Sequence, residues 1–286
     1  MDRAEAKKIY ARPLSAPEGA LSVYHLGHSL VGRLMPAMLE QLAGEGHRYR
    51  MQLGHGATLK GHWEHPQPPL RGFETENDSD KYRDAKEAID SKDYDVLVLT
   101  EMVELKDAIK YHDSPEYLAR LAARARAAQP NIRLYLYETW HSNDQADFRQ
   151  RLDQDLAELW EGKLLFGALA RDPKRRPIYL IPGGQVVAAV ARRIDAEGGL
   201  PGLAKIEGLF RDNIHLSDLG CYLIALTHYA VIYQHNPLGL PHQLKKPDGT
   251  AAAAPPEALA KIMQEIVWQV VTSLPETGVA PQREGE

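Results

Sequence analysis

Cysteine is almost absent: Cys221 is the single one in 286 residues, so no intrachain disulfide can form and no Cys-based zinc finger can be assembled. Long apolar runs are missing too. The longest, Cys221 to Tyr233, is interrupted by Thr227 and His228 and falls short of the roughly 20 residues that a membrane-spanning helix needs. Neither sign of charge dominates. With 34 Lys and Arg against 39 Asp and Glu, the net charge is -5, which removes the basic surface that would hold nucleic acid or an anionic membrane. Met1 to Ala20 carries charges at Asp2, Arg3, Glu5, Lys7 and Lys8 and has no apolar stretch of the signal-peptide kind, so a cytoplasmic protein is expected. What is present is ordinary globular usage, 44% hydrophobic and 26% charged, in a length that suits one large domain or two small ones.

Short apolar runs alternate with helical periodicity along the chain. Leu21–Leu26, Tyr49–Leu53, Asp95–Thr100, Ile132–Tyr137 and Ile178–Ile181 read as five strands, the third a continuous apolar run of the type covered on both faces. The spacing predicts helices from Leu30 to Leu42, bent by Pro36, then over 81–90, 114–128, 145–160, 186–196 and 219–233. Ser114 as N-cap and Pro115 in the first turn mark one start. Residues 61 to 80, with Pro66, Pro68 and Pro69, read as a long loop. Such alternation implies an α/β chain with a parallel sheet between helical layers, its chemistry gathered at the carboxyl ends of the strands. The expected organisation is a polar lead over 1–20, a core over 21–233, an extension over 234–274 and a mobile tail over 275–286. The extension carries an amphipathic helix at 257–273 that packs back on the core.

Gly27-His28-Ser29-Leu30 stands where the first strand turns into a helix. A serine there is surrounded by free backbone N–H groups and the positive end of the helix dipole, although a plain N-cap serine looks the same. It needs a base to become a nucleophile. Asp212-Asn-Ile-His215, in a loop before the last core helix, supplies one: an Asp three residues before a His can fix its tautomer and leave the other ring nitrogen free. Asp-x-x-His alone is common; with a strand-end serine near the start of the chain it becomes more specific.

These blocks resemble the SGNH, or GDSL-like, hydrolase superfamily. Leu26-Gly-His-Ser-Leu30 is similar to its first block, Gly54-His-Gly-Ala-Thr58 to the second and Asp212-Asn-Ile-His215 to the last. The resemblance covers about residues 21 to 233. It implies a flavodoxin-like α/β/α sandwich with a five-stranded parallel sheet. It also implies Ser29 as nucleophile, His215 as base, Asp212 as supporting acid, and Ser29 and Gly56, or alternatively Gly54, as backbone donors to an oxyanion. Two departures stand out. His28 replaces the family's usual Asp, and Thr100-Glu-Met-Val-Glu104 replaces the third block whose Asn completes the oxyanion hole. Thr100 can donate through its hydroxyl where an ionised Glu101 cannot.

Four residues are expected to border the substrate: His28, Glu101, Trp140 and Gln185. Trp140 and Trp63 read equally well as stacking surfaces or as core, and Gln185 reads more readily as a solvent-facing helix start than as a polar substrate contact. The histidines at 25, 28, 55, 62 and 65 match no standard metal spacing, and Gly54-x-Gly56 lacks the rest of a nucleotide loop. Neither metal nor organic cofactor is expected, and Cys221 reads as a packing residue. The function expected is hydrolysis of a short-chain carboxylic ester, such as an O-acetyl group on a carbohydrate, through an acyl-serine. An acyltransferase with the same residues and a catalytically impaired binding protein are the alternatives. No nucleic-acid or membrane partner is expected, and the sequence leaves the oligomeric state open.

Overall fold

A computed structural model describes residues 1–281. Five parallel strands form one sheet in the order β2-β1-β3-β4-β5, with β1 Ser22–His28, β2 Arg48–Gly54, β3 Val96–Leu99, β4 Arg133–Glu138 and β5 Tyr179–Pro182. This is the strand order of the flavodoxin-like doubly wound fold. All of β1 and β3 is buried: the valines and leucines of β3 are covered on both faces, and β1 takes two histidines and a tyrosine into the interior with Val23 and Leu26.

The helices are α1 Arg3–Ile9, α2 Leu34–Ala43, α3 Leu59–Glu64, α4 Phe73–Asn77, α5 Ala85–Ser91, α6 Leu105–Tyr111, α7 Ser114–Ala128, α8 Phe148–Asp155, α9 Phe166–Arg171, α10 Gly183–Glu197, α11 Asp218–Tyr233 and α12 Glu257–Ser273. A π-helical stretch, Leu156–Leu165, joins α8 to α9. Helices α2, α10, α11 and α12 pack together, with α8 against α10, and α5, α7, α9 and the π-helical stretch form a second group. Pro36 sits in the first turn of α2, where its missing N–H has no intrahelical partner to lose.

Residues 61 to 80 are not a single loop. Short helices α3 and α4 lie there, held by tertiary contacts that periodicity does not register. The Asn77 side chain accepts from Leu53 N–H at 2.9 Å and donates to Leu53 C=O at 2.7 Å, tying α4 to β2. The extension joins the same core. Leu259, Met263, Val267 and Val271 of α12 are fully buried, and Gln264 bonds Tyr222 Oη and the Leu240 carbonyl, each at 2.9 Å. The tail expected from 275 onward is also packed as far as it is described: Gly278 accepts from Leu14 N–H at 2.8 Å and Val279 is buried. Residues 282–286 lie outside the described residues. No described helix is long and apolar enough to cross a membrane.

Close approach of β1 and β3 fixes one residue type at the site. A Cβ on Gly27 would lie 2.5 Å from Thr100 Cγ2 and 3.0 Å from Val31 Cγ2, so only glycine lets the turn that carries Ser29 follow β1 so tightly.

Candidate active site

The β1–β2 register ends with His28 opposite Gly54, which sets the turn Ser29–Arg33 beside the loop Gly54-His-Gly-Ala57 at the carboxyl edge of the sheet. The last block arrives from the far end of the chain. A bridge between Phe210 and Leu216 closes the loop that carries it, and Arg211 N–H donates to His215 C=O at 2.9 Å across its base. Ser217 then caps α11.

In this frame His215 Nε2 lies 3.0 Å from Ser29 Oγ, and His215 Nδ1 lies 2.9 Å from Asp212 Oδ2. Asp212 Oδ1 accepts the N–H groups of Ile214 and His215 at 2.9 and 2.7 Å. Burial works to raise the Asp212 carboxyl, but those backbone donors and the imidazole outweigh it and hold the pKa down to about 2. An ionised Asp212 facing Nδ1 makes that nitrogen the donor. Nε2 is thereby left as an acceptor for the serine proton.

His28 is buried beside the serine. Nε2 lies 2.8 Å from the Glu101 carbonyl, so it carries the proton, and Nδ1 accepts Leu30 N–H at 3.3 Å. Burial pushes its pKa down to about 4. His62, which the sequence reading noticed only as one of several histidines, mirrors it: Nε2 donates to Gly27 C=O at 2.8 Å and Nδ1 accepts from Gln52 Nε2 at 3.0 Å. Glu101 is fully buried, and burial raises its carboxyl to about 7. Its Oε1 accepts Met102 N–H at 2.8 Å and Leu59 N–H at 3.2 Å. His28 and Glu101 therefore brace the loops behind the serine, and neither lines the cleft in front of it.

Three further expectations are corrected. Thr100 does not offer a donor to the site, because its buried hydroxyl donates to Tyr137 C=O at 2.7 Å. Gln185 is tied into the interior, with Nε2 bonded to Leu152 C=O at 2.8 Å and its N–H to Glu138 Oε2 at 3.1 Å. Trp140 is buried, and its indole donates to Ile214 C=O at 2.9 Å, inside the Asp212–His215 block. The indole is thus tied to the loop that carries His215, and Trp140 does not line the cleft in front of Ser29. Asn143 N–H grips the same loop at Asn213 C=O, 2.7 Å away; the sequence carries no local signal for either contact. Gly54 lies within the β1–β2 ladder, whereas Gly56, with φ at +56°, lies beyond it. Neither the Ser29 nor the Gly56 N–H is taken by a turn or loop hydrogen bond.

The cleft in front of Ser29 has a volume of about 640 Å³ and runs between the turn Ser29–Arg33 and the loop entering α11, with Pro247 and Ala253 of the extension in its wall. Cys221 borders it, and burial raises its thiol to about 12. Among the described residues no three His, Cys, Asp or Glu side chains converge as metal ligands.

No protein-family model and no curated protein matches the chain. Among solved structures it is similar to a DUF4886 family protein from Bacteroides uniformis, at 17% identity and a TM-score of 0.50 over 87% of this chain and 93% of that one. It is also similar to an acetyl xylan esterase, at 17% identity and a TM-score of 0.47 over 74% and 99% of the two chains. A lipase from a goat rumen metagenome follows at 13% identity and a TM-score of 0.41, over 75% and 98%. At such identities the likeness concerns the fold alone, the fold in this chain being the parallel five-stranded sheet described above.

Proposed function

We propose that this chain is a serine esterase that hydrolyses a short-chain carboxylic ester through an acyl-serine, with an O-acetyl group on a carbohydrate as the class nearest to the sequence resemblance. The observation that carries this reading is the run of two hydrogen bonds from Ser29 Oγ to His215 Nε2 and from His215 Nδ1 to Asp212, at 3.0 and 2.9 Å. Both lie within the range required of a nucleophile, base and orienting acid. Ser29 Oγ attacks the ester carbonyl while its proton passes to His215 Nε2. The C–O bond to the alcohol then breaks, and the alkoxide leaves with that proton. Water attacks the acyl-serine in the second half, giving a proton to His215, which returns it to Ser29 Oγ as the acid departs. The N–H groups of Ser29 and Gly56 serve the oxyanion. An acyltransferase shares the first half and differs in the alcohol that replaces water.

One observation favours a binding protein that holds an ester without cleaving it: the segment after β3 offers no side-chain donor, since the Thr100 hydroxyl is committed and Glu101 accepts. Treatment with a small fluorophosphonate separates the two. A single adduct on Ser29, read by intact mass and lost in Ser29→Ala and His215→Ala, is the result expected of the esterase. A folded protein that takes no label and turns over no aryl acetate would belong to the binding reading.

A further inference from the structure

Four charged side chains other than the base line the cleft: Arg33, Arg211, Glu76 and Asp218. The two carboxylates have partners of their own. Asp218 Oδ2 is 3.0 Å from Lys246 Nζ and accepts Ala253 N–H at 2.8 Å, and Glu76 Oε1 lies 2.9 Å from His55 Nε2. The two arginines lack such matching. Arg33 donates from Nε to Glu76 C=O at 3.2 Å and from Nη2 to Thr75 C=O at 2.5 Å. These neutral acceptors fix the guanidinium without cancelling its charge. Arg211 is largely exposed, and its nearest carboxylate oxygen, Asp212 Oδ2 at 4.0 Å, is the one already bonded to His215 Nδ1.

Both arginines line the same cleft as Ser29 and His215, and each belongs to a segment that carries one of these residues. Arg33 ends the turn that begins with Ser29, and Arg211 is bonded through its N–H to the carbonyl of His215. In a protein of net charge -5, two arginines without a dedicated anion thus flank one nucleophile. Guanidinium groups suit planar anions such as carboxylates, which they bind through paired N–H donors.

We infer that the cleft selects esters that carry a second, anionic group, a carboxylate or its equivalent, held by Arg211 and Arg33. This inference rests on the esterase reading above. The test compares kcat/KM for matched pairs, each corrected for its rate of hydroxide hydrolysis. 4-Nitrophenyl hydrogen adipate against 4-nitrophenyl hexanoate places the charge on the acyl side; 3-acetoxybenzoate against phenyl acetate places it on the alcohol side. The anionic member of at least one pair is expected to be preferred about tenfold at low salt, as one charge-assisted contact implies. That preference should shrink toward one at about 0.5 M salt and in Arg211→Gln, through KM more than kcat. Arg211 is exposed enough for this variant to fold, and its melting temperature checks that. Equal kcat/KM within both pairs, or a preference that Arg211→Gln leaves intact, overturns the inference, while turnover of the neutral esters and labelling of Ser29 would keep the esterase reading. Failure of every ester together with absence of the Ser29 adduct removes that reading, and the inference with it.

Discussion

His28 donates from Nε2 to the main-chain carbonyl of Glu101 at 2.8 Å, linking the end of β1, one residue before Ser29, to the segment that follows β3. That bond explains why histidine stands where the resembling family usually has aspartate. A carboxylate at 28 would face the Glu101 carbonyl with no proton to give, leaving two acceptors opposed in a buried space. His28→Asp should therefore lower stability, by about 1–3 kcal/mol for the unsatisfied groups, and slow the labelling of Ser29. Urea unfolding and the fluorophosphonate rate check this; a variant as stable and as reactive as the parent would show that the bond is dispensable.

Asp212→Asn tests the acid. Its amide can still accept from Ile214 and His215 N–H through one oxygen, but its NH2 would face Nδ1 and drive the proton to Nε2, the wrong tautomer for a base. Loss of about a thousand- to ten-thousand-fold in kcat is expected, with the fold retained by circular dichroism. Because the Asp212 carboxyl is held down to about 2, its contribution to stability is present above the ordinary carboxylate range and lost only as pH falls through about 2. The acid limb of kcat/KM at higher pH therefore belongs to another group.

The five strands were legible because burial on both faces writes continuous apolar runs such as Val96-Leu-Val-Leu99. The spacing of Ser29 and Asp212-x-x-His215 likewise needed only the order of elements. Roles that depend on a partner distant in sequence were hidden. Thr100 reads as a free donor until Tyr137 is beside it, 37 positions on. The link from Trp140 to Ile214 spans 74 positions. Helices α3 and α4 are too short for periodicity and owe their form to contacts such as Asn77 with Leu53. Arg33 and Arg211 drew no notice because surface arginines are common; only the shared cleft singles them out.

Trp140→Phe keeps the ring and removes the donor to Ile214 C=O. The Asp212–His215 loop retains its bonds to Asn143 and Asp144 but loses one of its three anchors to this segment. The cost in stability should be about 1 kcal/mol, and kcat should fall about three- to tenfold through looser placement of the base. The fall should be equal for alkyl and aryl acetates. A selective loss on ring-bearing esters, seen in KM, would instead return Trp140 to the substrate.

Stability against pH is set by two opposed groups of buried residues. Burial lowers His28, His47, His62 and His228 to about 4, holds His25 well below its ordinary value, and lowers His65 and His141 in the same direction. The unfolded chain binds these protons below its ordinary pKa of about 6.5, whereas the folded chain refuses them until lower pH. Stability therefore falls as pH drops below 6.5. Glu138 is raised to about 8, and Glu101 and Glu161 to about 7, all by burial. For them the folded chain is the one that holds the extra proton, so their contribution is complete below about 4.5 and is lost as pH rises through 7 to 8. Between 4.5 and 6.5 seven histidines oppose three carboxylates, and above 6.5 the carboxylates act alone. Urea unfolding from pH 4.5 to 9 should give a maximum near pH 6.5. Glu138→Gln keeps an acceptor for Gln185 N–H and removes the titration, so it should flatten the alkaline arm between pH 6.5 and 8 while leaving the acid arm in place. An unchanged alkaline arm in that variant would mean that Glu138 is ionised in the folded protein at neutral pH and that its buried surroundings hold the charge.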